Sequence, residues 1–252
     1  MATHIPFRSW CPCCVKGKRP TGTHKSSAKE EHALPSMRWD YMGPKSKEDK
    51  SEKIDSLPIL VGVDSQKWRC AHMVPSKGLD PHAIKMVTRE IRLSGFTRML
   101  LKSDQEPSIL ALLAAAKREI GEACEVIPEE SPVGDHQANG QVENAIKIVQ
   151  AQIRTMRLGI QARYRRRIKA DNVIMPWLVH HSAFLLNVCK VGPDGRTPYE
   201  TRKGKRFIRA LPEIILQLSS ISKDSISTIC VPMRCWVEPR GTRNSLTNST
   251  HA

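Results

Sequence analysis

Between residues 34 and 213 the spacing of apolar positions changes several times, and each change marks an element. "SMRWDYM" and "LPILVGVDS" are short runs rich in branched and aromatic residues, and "WRCAHMV" follows the second after a few polar positions. Runs of this length and composition predict strands, the last two forming a hairpin around Asp64-Ser65-Gln66. The period then lengthens. "DPHAIKMVTREIRLSG" spaces its apolar residues at helical intervals, with Asp80 placed to cap, Pro81 at the first helical position and Gly95 to end it. "TRMLLKSD" predicts a strand ending on Asp104, "SILALLAAAKREIG" a helix, and "CEVIPEE" a fifth strand. A long helix from about residue 140 and another in "PWLVHHSAFLLNVCKV" complete the pattern. This order predicts an α/β protein with a mixed five-stranded sheet and flanking helices.

Outside these elements the pattern lapses. Residues 43–57 are charged and rich in turn formers, which predicts a solvated loop. Residues 1–33 and the stretch from Ile214 onward carry no sustained period, so irregular N- and C-terminal appendages are expected.

Charge sharpens the picture. Lys and Arg number 40 against 25 Asp and Glu, a net +15 over 252 residues. An excess of that size points to a polyanion, and nucleic acid is the commonest. Met1 is followed by no apolar signal-peptide core. The longest apolar run, "ILALLAAA", falls far short of the ~20 residues a membrane span needs. A nuclear or cytoplasmic protein, neither secreted nor membrane-bound, is the expectation. On that footing the eight cysteines read as thiols or metal ligands.

Three acids sit where chemistry would want them. Asp40 interrupts a strand between Trp39 and Tyr41, a position strands disfavour for Asp. Asp104 stands where a strand leaves the sheet. Glu143 opens a helix after the glycine-containing loop "SPVGDHQANG". Singly these are turn, cap and helix-dipole residues. Together they suit a hard divalent cation, since Mg²⁺ takes carboxylate oxygens.

"WDYMGP", "KSDQEP" and "NGQVENA" resemble the Asp, Asp, Glu motifs of the retroviral and long-terminal-repeat retrotransposon integrase catalytic core. "LPILVGVDSQKW" is similar to that family's second strand, and "GRTPYETRKGKRF" to the segment that closes its core. The resemblance runs from about residue 34 to 213. It implies a ribonuclease-H-like fold, with Asp40, Asp104 and Glu143 binding two Mg²⁺ or Mn²⁺ ions. It also implies DNA 3′-end processing and strand transfer, with element ends and target DNA as partners and a homo-oligomer when full length. Asp64 competes with Asp40 for the first place; Tyr41 and Gly43-Pro44 favour Asp40. The domain expectation is a truncated zinc-binding-like segment at 1–33, the core at 34–213 and a tail at 214–252. Two other readings stay open: an inactive DNA-binding relic, and a ribonuclease-H-type nuclease.

At 100° per residue, Lys147, Arg154 and Arg157 stay within about 40° of Glu143 around the long helix. They are the expected phosphate contacts, with an ordinary Glu143–Lys147 pair as the bland alternative. Val142, Ile146, Val149, Ile153 and Met156 form the core stripe. Cys11 and Cys14 have the spacing of half a zinc site. They resemble the cysteine half of the integrase zinc module, with only His4 upstream; loose thiols are the alternative. "RYRRRIK" at 163–169 reads as a DNA-contacting or localisation run, or as a solvated helix end. His180 and His181 are expected to pack.

Overall fold

In the computed structural model, residues 3–17, 34–43, 57–130 and 140–208 are described. The five expected strands are β1 (Ser36–Met42), β2 (Ile59–Asp64), β3 (Arg69–Met73), β4 (Arg98–Ser103) and β5 (Glu125–Glu130). They form one sheet in the order β3-β2-β1-β4-β5. β1 pairs antiparallel with β2, and β2 with β3; β1–β4 and β4–β5 are parallel. The helices are α1 (Pro12–Gly17), α2 (Pro81–Ser94), α3 (Pro107–Ile120), α4 (Gly140–Tyr164), α5 (Met175–Cys189) and α6 (Pro198–Lys203). This is the α/β fold, a mixed five-stranded sheet with flanking helices, that the sequence predicts.

Strand alternation divides the sheet into two faces. Met37, Trp39 and Tyr41 of β1 point one way, joining Leu60, Cys70, Met99, Leu101 and Val126 against α2 and α3. α2 begins as its sequence dictates: Asp80 Oδ1 accepts from Ala83 N at 2.8 Å, and Gly95 closes the helix in a left-handed conformation. Arg38 and Asp40 point the other way, toward α4. There Val63 packs on Val142, Ala145 and Ile146.

The β3 edge is covered by a side chain. Asn187 of α5 accepts from Arg69 N at 2.9 Å and donates to Arg69 O at 2.7 Å, occupying the place of a further strand. Near the end of the described core, Thr197 and Glu200 form a reciprocal capping box on α6. That short helix presents Arg202, which lies 4.1 Å from the Trp68 ring and pairs with buried Asp64.

The N-terminal segment is more ordered than its sequence suggests. Residues 3–17 pack on the second half of α4, with Gly17 so close to Thr155 that a Cβ there would lie 2.1 Å from Oγ1. Gln152 Nε2 donates to Thr3 O at 2.8 Å. The expected tail at 214–252 lies outside the described residues.

Candidate active site

Two neighbouring strands deliver the first pair of acids. Arg38 stands level with Lys102 in the parallel β1–β4 register. Two residues further along each strand, on the same face, come Asp40 and Asp104. The pair therefore meets at the carboxyl ends of adjacent parallel strands, where open α/β sheets bind ligands. Oxygens of Asp40, Asp104 and Glu106 lie within 4.8 Å of one another, and all three residues are half-buried.

Glu106 is the residue that sequence reasoning missed. It precedes Pro107 at the start of α3, where a capping role is the ordinary reading, yet its side chain makes no cap hydrogen bond. Its carboxylate instead accepts from Lys77 Nζ at 2.8 Å and Ser108 Oγ at 2.6 Å. Lys77 also lies 5.1 Å from the Tyr41 ring, and the Tyr41 hydroxyl accepts from Gly78 N at 3.1 Å. The signal available in the sequence was its place two residues after Asp104.

Electrostatics single out Asp40. Burial pushes its carboxyl up to about 6; the charges of Asp104 and Glu106 add to this, and the hydrogen bond from Tyr41 N at 2.6 Å opposes it. Glu106 is held below the usual range by the Lys77 and Ser108 hydrogen bonds. An oxygen-only donor set with one carboxylate raised by burial and, less, by its acidic neighbours fits a hard divalent cation.

Glu143 lies outside this cluster. It is exposed in the first turn of α4. That turn is fixed by Gln141, whose Oε1 accepts from Arg38 Nη1 at 2.7 Å, and by Val142 on Val63. Arg38 is one side-chain step from Asp40 on the same face, roughly 6.7 Å along the strand. The loop expected at 129–139 falls mostly outside the described residues.

Asp64 has other work. In the β1–β2 register it stands opposite Met37, whereas Asp40 stands opposite Val61. It is buried, accepts from Trp68 N at 2.7 Å and is ion-paired with Arg202. It stabilises the β2–β3 turn and the docking of α6.

The expected basic face of α4 needs correction. Lys147 is exposed, but Arg157 is buried and its Nε donates to Ile168 O at 2.6 Å. Arg154 keeps an exposed surface while its Nε contacts Gly17 O at 3.4 Å. The helical angle was right; the segments that cover the second half of α4 were not foreseen. Exposed cations gather instead at the last turn of that helix and just beyond it, at Arg163, Arg165, Arg166, Arg167 and Lys169.

Cys11 and Cys14 are both buried and share one neighbour. His4 Nδ1 lies 3.5 Å from Cys11 Sγ and 3.6 Å from Cys14 Sγ. The backbone N–H of Cys14 is the main influence drawing the Cys11 thiol down. These three side chains offer an N, S, S donor set.

No protein-family model matches the sequence, and no curated protein does. Solved structures do. A chain of the simian T-cell lymphotropic virus intasome, in complex with the PP2A regulatory subunit B56 gamma, superposes with a TM-score of 0.51 and 15% identity over 79% of this chain. The human T-cell lymphotropic virus type 2 (HTLV-2) integrase catalytic core domain, dimeric and in complex with magnesium, gives 0.44 and 14% over 68% of this chain and 98% of its own. The fold is therefore that of the ribonuclease-H-like class. The intasome chain shares this fold. This chain spans 65% of the length of the intasome chain.

Proposed function

We propose that this protein is a retroelement integrase that trims DNA 3′ ends and joins them to target DNA. The observation that carries the reading is the convergence of Asp40, Asp104 and Glu106 oxygens at the ends of two parallel strands. Asp40 with Asp104, and Asp40 with Glu143, are the residues that would hold two Mg²⁺ or Mn²⁺ ions. Such ions supply activation of a water or a DNA 3′-hydroxyl and neutralise charge on the leaving oxygen.

The protein's own part is positioning. Tyr41 N–H fixes one Asp40 oxygen. Lys77 draws Glu106 aside, so that Glu106 lies beside the pair while its charge is already matched. Gln141 ties the first turn of α4, in which Glu143 stands, to β1. Lys147 and the exposed cations between 163 and 169 would take phosphates without reading bases. His4, Cys11 and Cys14 would hold zinc, tying the N-terminal segment to itself on α4. Oligomeric assembly on DNA ends follows the same analogy.

One observation favours a second reading, a DNA-binding relic without catalysis: Glu143 stands apart from the two aspartates. A single experiment separates the readings. Mg²⁺- or Mn²⁺-dependent nicking and strand transfer on duplex DNA should be abolished by Asp104→Asn and by Glu143→Gln, with DNA binding retained. Metal-dependent activity that survives Glu143→Gln would remove that residue from the site. No activity in the unaltered chain, with binding intact, would establish the relic.

A further inference from the structure

β3 carries a second cluster, on the sheet face opposite to the carboxylates. Cys70 and His72 are two residues apart and so point the same way, into the space reached by Glu90 of α2. Ligand atoms of Cys70, His72 and Glu90 lie within 4.8 Å of one another. All three residues are buried, at 4%, 4% and 6% exposure. His72 Nε2 and Glu90 Oε1 are 3.2 Å apart. From the other flank, α5 brings His180, whose ring centroid is 5.5 Å from that of His72.

A buried His–Glu hydrogen bond needs only two of these four groups. It gives no reason for a thiol to gather at the same point, or for a second imidazole ring to lie beside that of His72. A tetrahedral ion does. With bonds of about 2.0–2.1 Å to nitrogen and oxygen, zinc holds such ligand atoms roughly 3.3–3.4 Å apart. The His72–Glu90 separation is close to that edge. A mixed thiolate, imidazole and carboxylate set is poorly matched to Mg²⁺ or Ca²⁺ and well matched to Zn²⁺.

We propose that Cys70, His72 and Glu90, completed by His180, form a structural zinc site that ties β3 to α2 and α5. Four protein ligands leave no open position, so the ion's role is stability, not catalysis. Binding releases the Cys70 thiol proton to solvent, and both imidazoles bind in their neutral form. His180 is half-buried and marks the side from which an ion reaches the cluster.

The test uses the full chain carrying Cys11→Ser and Cys14→Ser, which removes the thiols of the N-terminal set. Cobalt added as a zinc substitute should give a thiolate-to-metal absorption band that saturates at a single equivalent and is bleached by zinc. Adding Cys70→Ala should abolish the band, and adding Glu90→Gln should weaken cobalt binding by more than about tenfold. Zinc should also raise the melting temperature of the double-serine chain relative to a chelated sample, an effect reduced by Glu90→Gln whether or not the alanine variant folds. Absence of the band in the double-serine chain, or its persistence after Cys70→Ala, would overturn the proposal. So would a melting temperature indifferent to zinc.

Discussion

Asp40 occupies a strand position in a folded environment that resists its charge. Its carboxyl sits near 6 rather than 3.8, mainly through burial. The folded state thus holds its proton where the unfolded chain has lost it. Stability linked to this group is complete below about pH 4 and declines as pH rises through about 6. In chelator, Asp40→Asn should therefore melt higher than the parent above about pH 6, with the difference closing at acid pH. Thermal melts across that range check it. Mg²⁺ should raise the parent's melting temperature and leave the variant unmoved, because the ion offsets the cost of the buried, crowded charge that the substitution removes. Asp64 is a second buried acid, also pushed up mainly by burial, but here a partner charge opposes the shift. Asp64 is compensated by Arg202, both side chains being nearly inaccessible. Arg202→Ala strands that carboxylate and should cost about 3–5 kcal/mol in denaturant unfolding at neutral pH.

At the scale of elements, the changes of pattern along the chain named all five strands and the helices α2 to α5: the central strands are short apolar runs buried on both faces, and α2 carries its buried residues at helical spacing. Asp40 and Asp104 were legible for the same reason: an acid inside or ending an apolar strand conflicts with its surroundings. Glu106 was hidden by an innocent local role in front of Pro107. Arg157 was misjudged because an angle around a helix says nothing of what covers that face. Residues 3–17, which have no period, cover part of it, and Ile168 bends back to meet Arg157. Gly17 is the closest approach in that docking, with a Cβ there meeting Thr155 Cα at 2.7 Å as well as its hydroxyl. Gly17→Ala should release the N-terminal segment while the sheet stays folded. Hydrogen exchange should quicken in the second half of α4 and not in β1 or β4. Unchanged protection there would show that the contact yields without undocking.

For the whole molecule, a net charge of +15 acts on any polyanion, but its effect depends on which cations are free to meet one. Phosphate neutralisation makes log affinity fall with log salt at roughly 0.9 per contact on duplex DNA. Arg157 spends its guanidinium on Ile168, so Arg157→Ala should lower stability by about 1.5–3 kcal/mol and leave the salt slope of DNA binding unchanged. Arg165 and Arg166 are exposed in the run beyond α4. Replacing both by Ala should shallow the slope by about two if each meets one phosphate, with little change in stability. Lys147→Ala should remove about one more. The two classes of variant thus separate in opposite directions: one moves the melting temperature, the other the salt dependence. A slope that responds to Arg157 and ignores Arg165 and Arg166 would mean that DNA follows the length of α4, and that the Ile168 segment must release Arg157 before DNA can bind.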